Sequence, residues 1–249
     1  MKTATFETLK RSPAYRVVEK SVRQKILDGS LVPGDVLPGE HDLAEQLGVT
    51  RPTVREALRA LESAGLVERG RRRRMVVSAP SPRVVRDAMQ QAIILRGVSY
   101  RELWEVNLAL EPAAAELAAT AVSPELLTAI AANLERTESC LADPTALVAA
   151  DVEFHDLVAR ASGNHALLLA REPLGELLFS AYGAVIRKIG PGRRLLEAHR
   201  RIHDALRTRD AETARDWMAK HIRDFRRGCE VAGLDFEEPV TQVAQRRDE

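Results

Sequence analysis

The chain has 249 residues, room for two modest domains, and 45% hydrophobic residues, enough for a real core. Aromatics make up only 4% and the apolar set is rich in Leu and Ala, which favours packed helices over a β-sandwich. Net charge is +1 but uneven: residues 1–80 carry 15 Lys and Arg against 10 Asp and Glu, while the remaining 169 carry 22 against 26, so only the front suits a polyanionic partner.

Ser12-Pro13 reads as N-cap and first residue of a helix whose apolar face runs through Val17, Val18, Val22, Ile26 and Leu27, with Gly29 ending it. Leu31-Val32-Pro33-Gly34-Asp35 is turn chemistry. A short helix follows from about Glu40 to Leu47, with Leu43, Ala44 and Leu47 inward, and Gly48 stops it. A third helix starts at Thr50 and runs to about Ala64. Val54, Ala57, Leu58, Leu61 and Ala64 share one face of it, and Arg51, Arg55, Glu56, Arg59 and Ser63 the other. After Gly65, Leu66–Arg69 and Met75–Ser78 read as two strands joined by the tip Gly70-Arg71-Arg72-Arg73-Arg74. Two short helices split by a glycine, the second basic on its open face, then a β-hairpin, describe a winged helix-turn-helix. Thr50 as a cap leaves free N–H groups and a positive dipole end for a phosphate. Arg51 and Arg55 lie one turn apart and can read guanine edges or clamp phosphate, Thr53 can reach backbone or a base methyl, and the basic tip suits a groove.

The run from Pro33-Gly34-Asp35 through Leu37-Pro38-Gly39-Glu40, then Leu43-Ala44-Glu45-Gln46-Leu47-Gly48-Val49-Thr50-Arg51-Pro52-Thr53-Val54-Arg55-Glu56-Ala57-Leu58, closely resembles the GntR family of transcription regulators. Leu61-Glu62-Ser63-Ala64-Gly65-Leu66-Val67 continues the match. The resemblance implies operator contacts by Thr50, Arg51, Thr53 and Arg55, with Gly70 and Arg71 at the wing. His41 stands where the family often has an arginine, which weakens that phosphate contact or makes it pH-dependent. Four consecutive arginines replace a Gly-rich wing, which strengthens non-specific attraction and salt dependence.

Ser78-Ala79-Pro80-Ser81-Pro82 reads as a linker, giving a DNA-binding domain over 10–78, a linker at 79–83 and a second domain over 84–232. In the second domain Ser99, Ser123, Asp143, Asn164 and Asp210 are N-cap signals, and Gly97, Gly163, Gly190 and Gly192 mark helix ends. They divide it into six or seven helices with short connections, an all-α antiparallel bundle. Residues 233–249 read as a polar tail whose composition suits disorder.

Asp151 and His155, four apart, share a helix face with Leu147, Val148, Phe154 and Val158. His199 lies with Leu195, Ile202 and Leu206, and His221 with Met218, Ile222 and Phe225. Each histidine alone reads as a hydrogen-bonded core residue. Together they form three imidazoles and a carboxylate on core-facing stripes, which one divalent ion would satisfy, and the ligand types suit zinc, nickel or manganese.

The stretches Leu103-Trp104-Glu105-Val106, Leu110-Glu111-Pro112, Asp151-Val152-Glu153-Phe154-His155, Ser162-Gly163-Asn164, His199-Arg200-Arg201-Ile202 and Met218-Ala219-Lys220-His221 resemble the C-terminal ligand-binding domain, FCD, of FadR-type GntR regulators. The resemblance assigns Asp151, His155, His199 and His221 as metal ligands, with His203 the competing candidate and His165 set aside. Members commonly carry an effector-pairing arginine where this chain has Asn107. The expectation is a mainly α, non-enzymatic transcription regulator, most simply a repressor, acting as a homodimer on double-stranded operator DNA. Its effector is expected to be a small organic or sugar acid that binds beside the metal. The N-terminus lacks the apolar core of a signal peptide, no apolar run is long enough for a membrane span, and Cys140 and Cys229 form no C-x-x-C. Those features predict a cytoplasmic protein without disulfides or membrane contact.

Overall fold

Local helix-stopping chemistry partitions the chain much as its sequence indicates. The computed structural model describes residues 13–70, 74–190 and 192–240, which separate into two units, one through Val85 and one from Arg86 onward. In the first unit α1 (Ala14–Leu27), α2 (Glu40–Leu47) and α3 (Arg51–Ser63) precede an antiparallel hairpin of β1 (Val67–Arg69) and β2 (Met75–Val77), with Val67 opposite Val77. Its core is Val22, Leu37, Leu43, Val54, Leu58 and Leu61 with Val67 and Val77 from the hairpin. Gly48, with φ +64, is the left-handed cap that turns the chain from α2 into α3. The apolar face expected of α1 is narrower than its sequence implies: Val18 and Val22 are buried, but Val17 is 61% and Leu27 70% exposed. Leu47 likewise faces solvent, while Leu43 and Ala44 carry the packing of α2.

α4 (Pro82–Leu95) crosses the division between the units, and the helical unit continues with α5 (Tyr100–Ala121), α6 (Pro124–Ser139), α7 (Pro144–Ala161), α8 (His165–Ile189), α9 (Gly192–Arg207) and α10 (Ala211–Ala232). Pro82 begins α4 rather than breaking it, since proline is tolerated in a first helical turn, so the linker is shorter than the 79–83 expected. Ser99, Ser123, Asp143, Asn164 and Asp210 each cap a helix with a side-chain oxygen. Inside, α5, α7, α9 and α10 present the core residues Leu103, Ala118, Phe154, Val158, Ile202, Met218 and Ile222 to one another.

The segment after α10 departs from the expected polar tail over residues 233–240. Val240 is buried and its N–H donates to the Val98 carbonyl at 2.8 Å. The first-turn N–H groups of Tyr100 and Arg101 donate to the carbonyls of Glu238 (3.2 Å) and Phe236 (2.8 Å), while Ser99 and Glu102 close a capping box. The segment thus satisfies N–H groups that the start of α5 cannot. Phe236 also meets Trp104 edge-on, with ring centroids 6.3 Å apart, and Arg226 lies 4.8 Å over the Trp104 ring. Phe236→Ala should therefore lower unfolding stability by about 1–3 kcal/mol in urea titrations, whereas a disordered tail would give no change.

Candidate functional site

In the first unit the Thr50 hydroxyl caps α3, accepting from the Thr53 N–H at 3.4 Å and lying 2.9 Å from the Thr53 hydroxyl. This contact ties both threonines to the helix start that a phosphate would approach. Arg51 and Arg55 are exposed one turn apart. Arg55 is gripped by Glu40, the first residue of α2, with Nη2–Oε2 at 2.8 Å and Nε within 3.2 Å of both carboxylate oxygens. That fork fixes the guanidinium against the base of α3 and, by hydrogen bonding, lowers the Glu40 carboxyl below its ordinary value. A cleft beside α3 gathers Arg55, Arg59, Arg69 and Arg74 around Glu40 and Glu62. His41 is exposed at the start of α2. Gly70 has a steric reason of its own: a Cβ there would lie 2.4 Å from Val76 Cγ2, so a larger residue would force the Val76 side chain to shift. Arg71 lies outside the described residues.

In the helical unit the four expected ligands come together. Asp151 and His155 project from α7, His199 from α9 and His221 from α10, all buried, and one ligand atom from each lies within 4.8 Å of the others. His155 Nε2 is 3.2 Å and His199 Nε2 3.3 Å from His221 Nε2, and Asp151 Oδ1 is 3.2 Å from His199 Nε2. The two Asp151 oxygens are nevertheless buried without a hydrogen-bond partner, as is His199 Nδ1. The His199 ring stacks flat on Phe154, with centroids 3.6 Å apart. Burial, reinforced by neighbouring imidazoles, brings His221 down to about 3 and holds His199 well below its usual range, so both stay neutral. Burial also raises Asp151. His155 is the exception. Burial pulls it down, but the Glu111 and Asp151 carboxylates outweigh that and raise it. Imidazoles from three helices and a carboxylate without a hydrogen-bond partner, facing one point, are the donor set a divalent ion takes. His203 sits outside the cluster and His165 is exposed at the start of α8.

Further buried polar residues lie on α5 and α8. Glu111, wholly buried on α5, places Oε2 2.8 Å from His155 Nδ1 and Oε1 2.6 Å from Nε of Arg171 on α8, and Arg171 also bonds Asp156. Burial opposes ionisation of Glu111, but Arg171 and His155 hold its carboxyl down to about 2. As a carboxylate it can only accept, so His155 Nδ1 donates and its Nε2 faces the cluster. Asn107, one turn before Glu111, is fully buried. Its Nδ2 donates to the Leu103 carbonyl at 2.9 Å, which leaves Oδ1 inside without a partner.

Comparison with known proteins agrees in both units. Residues 14–77 match the family described as bacterial regulatory proteins, gntR family, and residues 102–224 match the FCD domain, together about three quarters of the chain. The chain belongs to the gntR family. The HTH-type transcriptional repressor NanR of Cronobacter sakazakii is 29% identical over 224 residues, covering 86% of this chain and 84% of that protein. The uncharacterized HTH-type transcriptional regulator YdhC of Bacillus subtilis is 26% identical, with 90% and 93% covered. The solved structure of Streptococcus agalactiae GntR matches with a TM-score of 0.63 and 28% identity, over 86% of this chain and 99% of that one. This gntR-family member is thus a DNA-binding transcription regulator with an FCD effector domain, and not an enzyme. No helix among the described residues is long and apolar enough to cross a membrane.

Sequence reasoning placed the quartet but missed Glu111 and Arg171 as partners. The available signal was a glutamate in the apolar run Leu108–Ala115 and an arginine following the apolar run Leu167–Ala170. Because Arg171 neutralises a buried carboxylate, Arg171→Met should cost about 3–5 kcal/mol of stability, measured by denaturant unfolding of the full chain.

Proposed function

We propose that this regulator is an operator-binding repressor, a homodimer whose FCD domain holds a divalent metal ion and a small acid effector. The observation that carries this reading is the convergence of Asp151, His155, His199 and His221 with both Asp151 oxygens unpartnered. A buried carboxylate without a hydrogen-bond partner among three buried imidazoles is costly, and zinc, nickel or manganese would remove that cost. Such an ion, when bound, supplies a Lewis-acid point to which an effector oxygen can attach.

Asn107 supports a particular effector chemistry. Its Oδ1 is buried without a hydrogen-bond partner, so it offers a ligand an acceptor beside the amide N–H that the Leu103 carbonyl does not take. An effector with an acid oxygen for the metal and a hydroxyl for Asn107 Oδ1 suits the site, as a hydroxy acid or sugar acid would. The NanR relatives are named as repressors, which supports repression here. Dimerisation is supported by α4, which presents Val84, Val85, Met89 and Leu95 to solvent.

On DNA, Thr50, Arg51, Thr53 and Arg55 would meet the operator from the exposed start of α3, with His41 and the wing residues Gly70 and Arg71 at the flanks. Effector binding shifts the population between DNA-competent and DNA-incompetent dimers. Arg51→Ala and Arg55→Ala should each weaken binding to the specific operator at least about tenfold, with much less effect on random DNA, in fluorescence anisotropy titrations. Equal losses on both DNAs would reduce the arginines to phosphate contacts. For the effector, a thermal-shift series on zinc-loaded protein should favour gluconate over acetate, with the preference lost in Asn107→Ala. Equal shifts for the two acids would contradict a hydroxyl contact.

A further inference from the structure

Among the three imidazoles that face the cluster, His155 has an outer nitrogen backed by a buried carboxylate. Glu111 Oε2 sits 2.8 Å from its Nδ1, whereas the outer Nδ1 of His199 is buried without a partner and that ring is held by stacking on Phe154. We infer that Glu111 is a positioning residue for the metal site. It fixes His155 with its proton on Nδ1 and its Nε2 lone pair toward the ion, which makes His155 the anchoring ligand. The inference rests on the metal reading above.

The geometry carries this in three steps. First, the two oxygens of Glu111 are divided between two donors from different helices, His155 of α7 and Arg171 of α8, so the carboxylate cannot rotate without losing one of them. Second, Arg171 lies 1% exposed with its Nε on Glu111 and its Nη1 on Asp156, so its charge is shared between these two carboxylates. A buried carboxylate needs such a counter-charge to persist in an apolar bundle. Third, a carboxylate behind an imidazole raises the basicity of the nitrogen facing the ion and locks the ring plane, an effect that typically changes metal affinity 10- to 100-fold. The chain Asp156–Arg171–Glu111–His155 thus runs from the half-exposed Asp156 to the centre of the quartet. It accounts for the burial of a glutamate and an arginine that are 0% and 1% exposed.

The test uses full-length chain stripped of metal and titrated with zinc against a chromophoric chelator, then with cobalt(II), whose visible bands report ligand geometry. Wild-type chain takes up one ion. Glu111→Gln, which keeps the shape but loses the charge, is expected to weaken zinc binding about 10- to 100-fold and to shift the cobalt bands. Because Glu111→Gln leaves Arg171 uncompensated and could fail to fold, the double variant Glu111→Gln/Arg171→Met is measured beside it. The double variant leaves no unpaired interior charge at these two positions, and it should fold yet still show the weakened zinc and the altered bands. Wild-type zinc affinity and unchanged cobalt bands in the double variant would overturn the inference while leaving the metal reading intact. No zinc uptake by the wild-type chain would overturn the metal reading, and this inference with it.

Discussion

A carboxylate and three imidazoles at the centre of a Leu- and Ala-rich bundle set the terms for the whole effector domain. Placed there without partners they would be among the costliest groups in the fold. Everything near them looks like provision for that burden. Burial holds His199 and His221 neutral, Phe154 stacks on one ring, and Glu111 takes the outer proton of another. Arg171 then makes Glu111 tolerable, and Asp156 connects Arg171 to the surface. α5, α7, α8, α9 and α10 each contribute at least one residue to this polar centre. Their mutual packing and the site's geometry are therefore one property, and a ligand that alters the centre can move helices.

The DNA-binding unit solves a smaller version of the same problem at its surface. Its recognition helix must offer cations without letting them wander. Glu40 restrains Arg55 through a two-pronged contact across the turn between α2 and α3. Thr50 spends its hydroxyl on the helix start, and Gly70 leaves room for the Val76 side chain across the hairpin. Exposed ion pairs add little stability, so the value of Glu40 lies in where it holds the guanidinium rather than in folding energy.

Much of this architecture was legible in the sequence because its signals are local. A serine, aspartate or asparagine before an apolar run caps a helix wherever that helix packs, and Ser99, Ser123, Asp143, Asn164 and Asp210 all do so. Helical spacing alone put Asp151, His155, His199 and His221 on inward faces. What could not be read depends on partners far along the chain. Glu111 and Arg171 are 60 residues apart, and neither spacing nor type pairs them. Val240 and Phe236 lie in a polar-looking stretch but dock on Val98 and Trp104, more than a hundred residues away. Val17, Leu27 and Leu47 carried the right periodicity but sit beyond the reach of a small core, and Pro82 reads as a breaker until a first helical turn is seen to accept it.

The proposed role of the buried quartet is to hold a divalent ion. It is tested most directly by differential scanning calorimetry of full-length, untagged chain before and after chelation, with zinc then restored. The melting temperature of the effector domain should fall after chelation and recover on adding one equivalent of zinc. Asp151→Asn should abolish both responses. An unfolding transition indifferent to chelator and zinc, in wild type and variant alike, would contradict it.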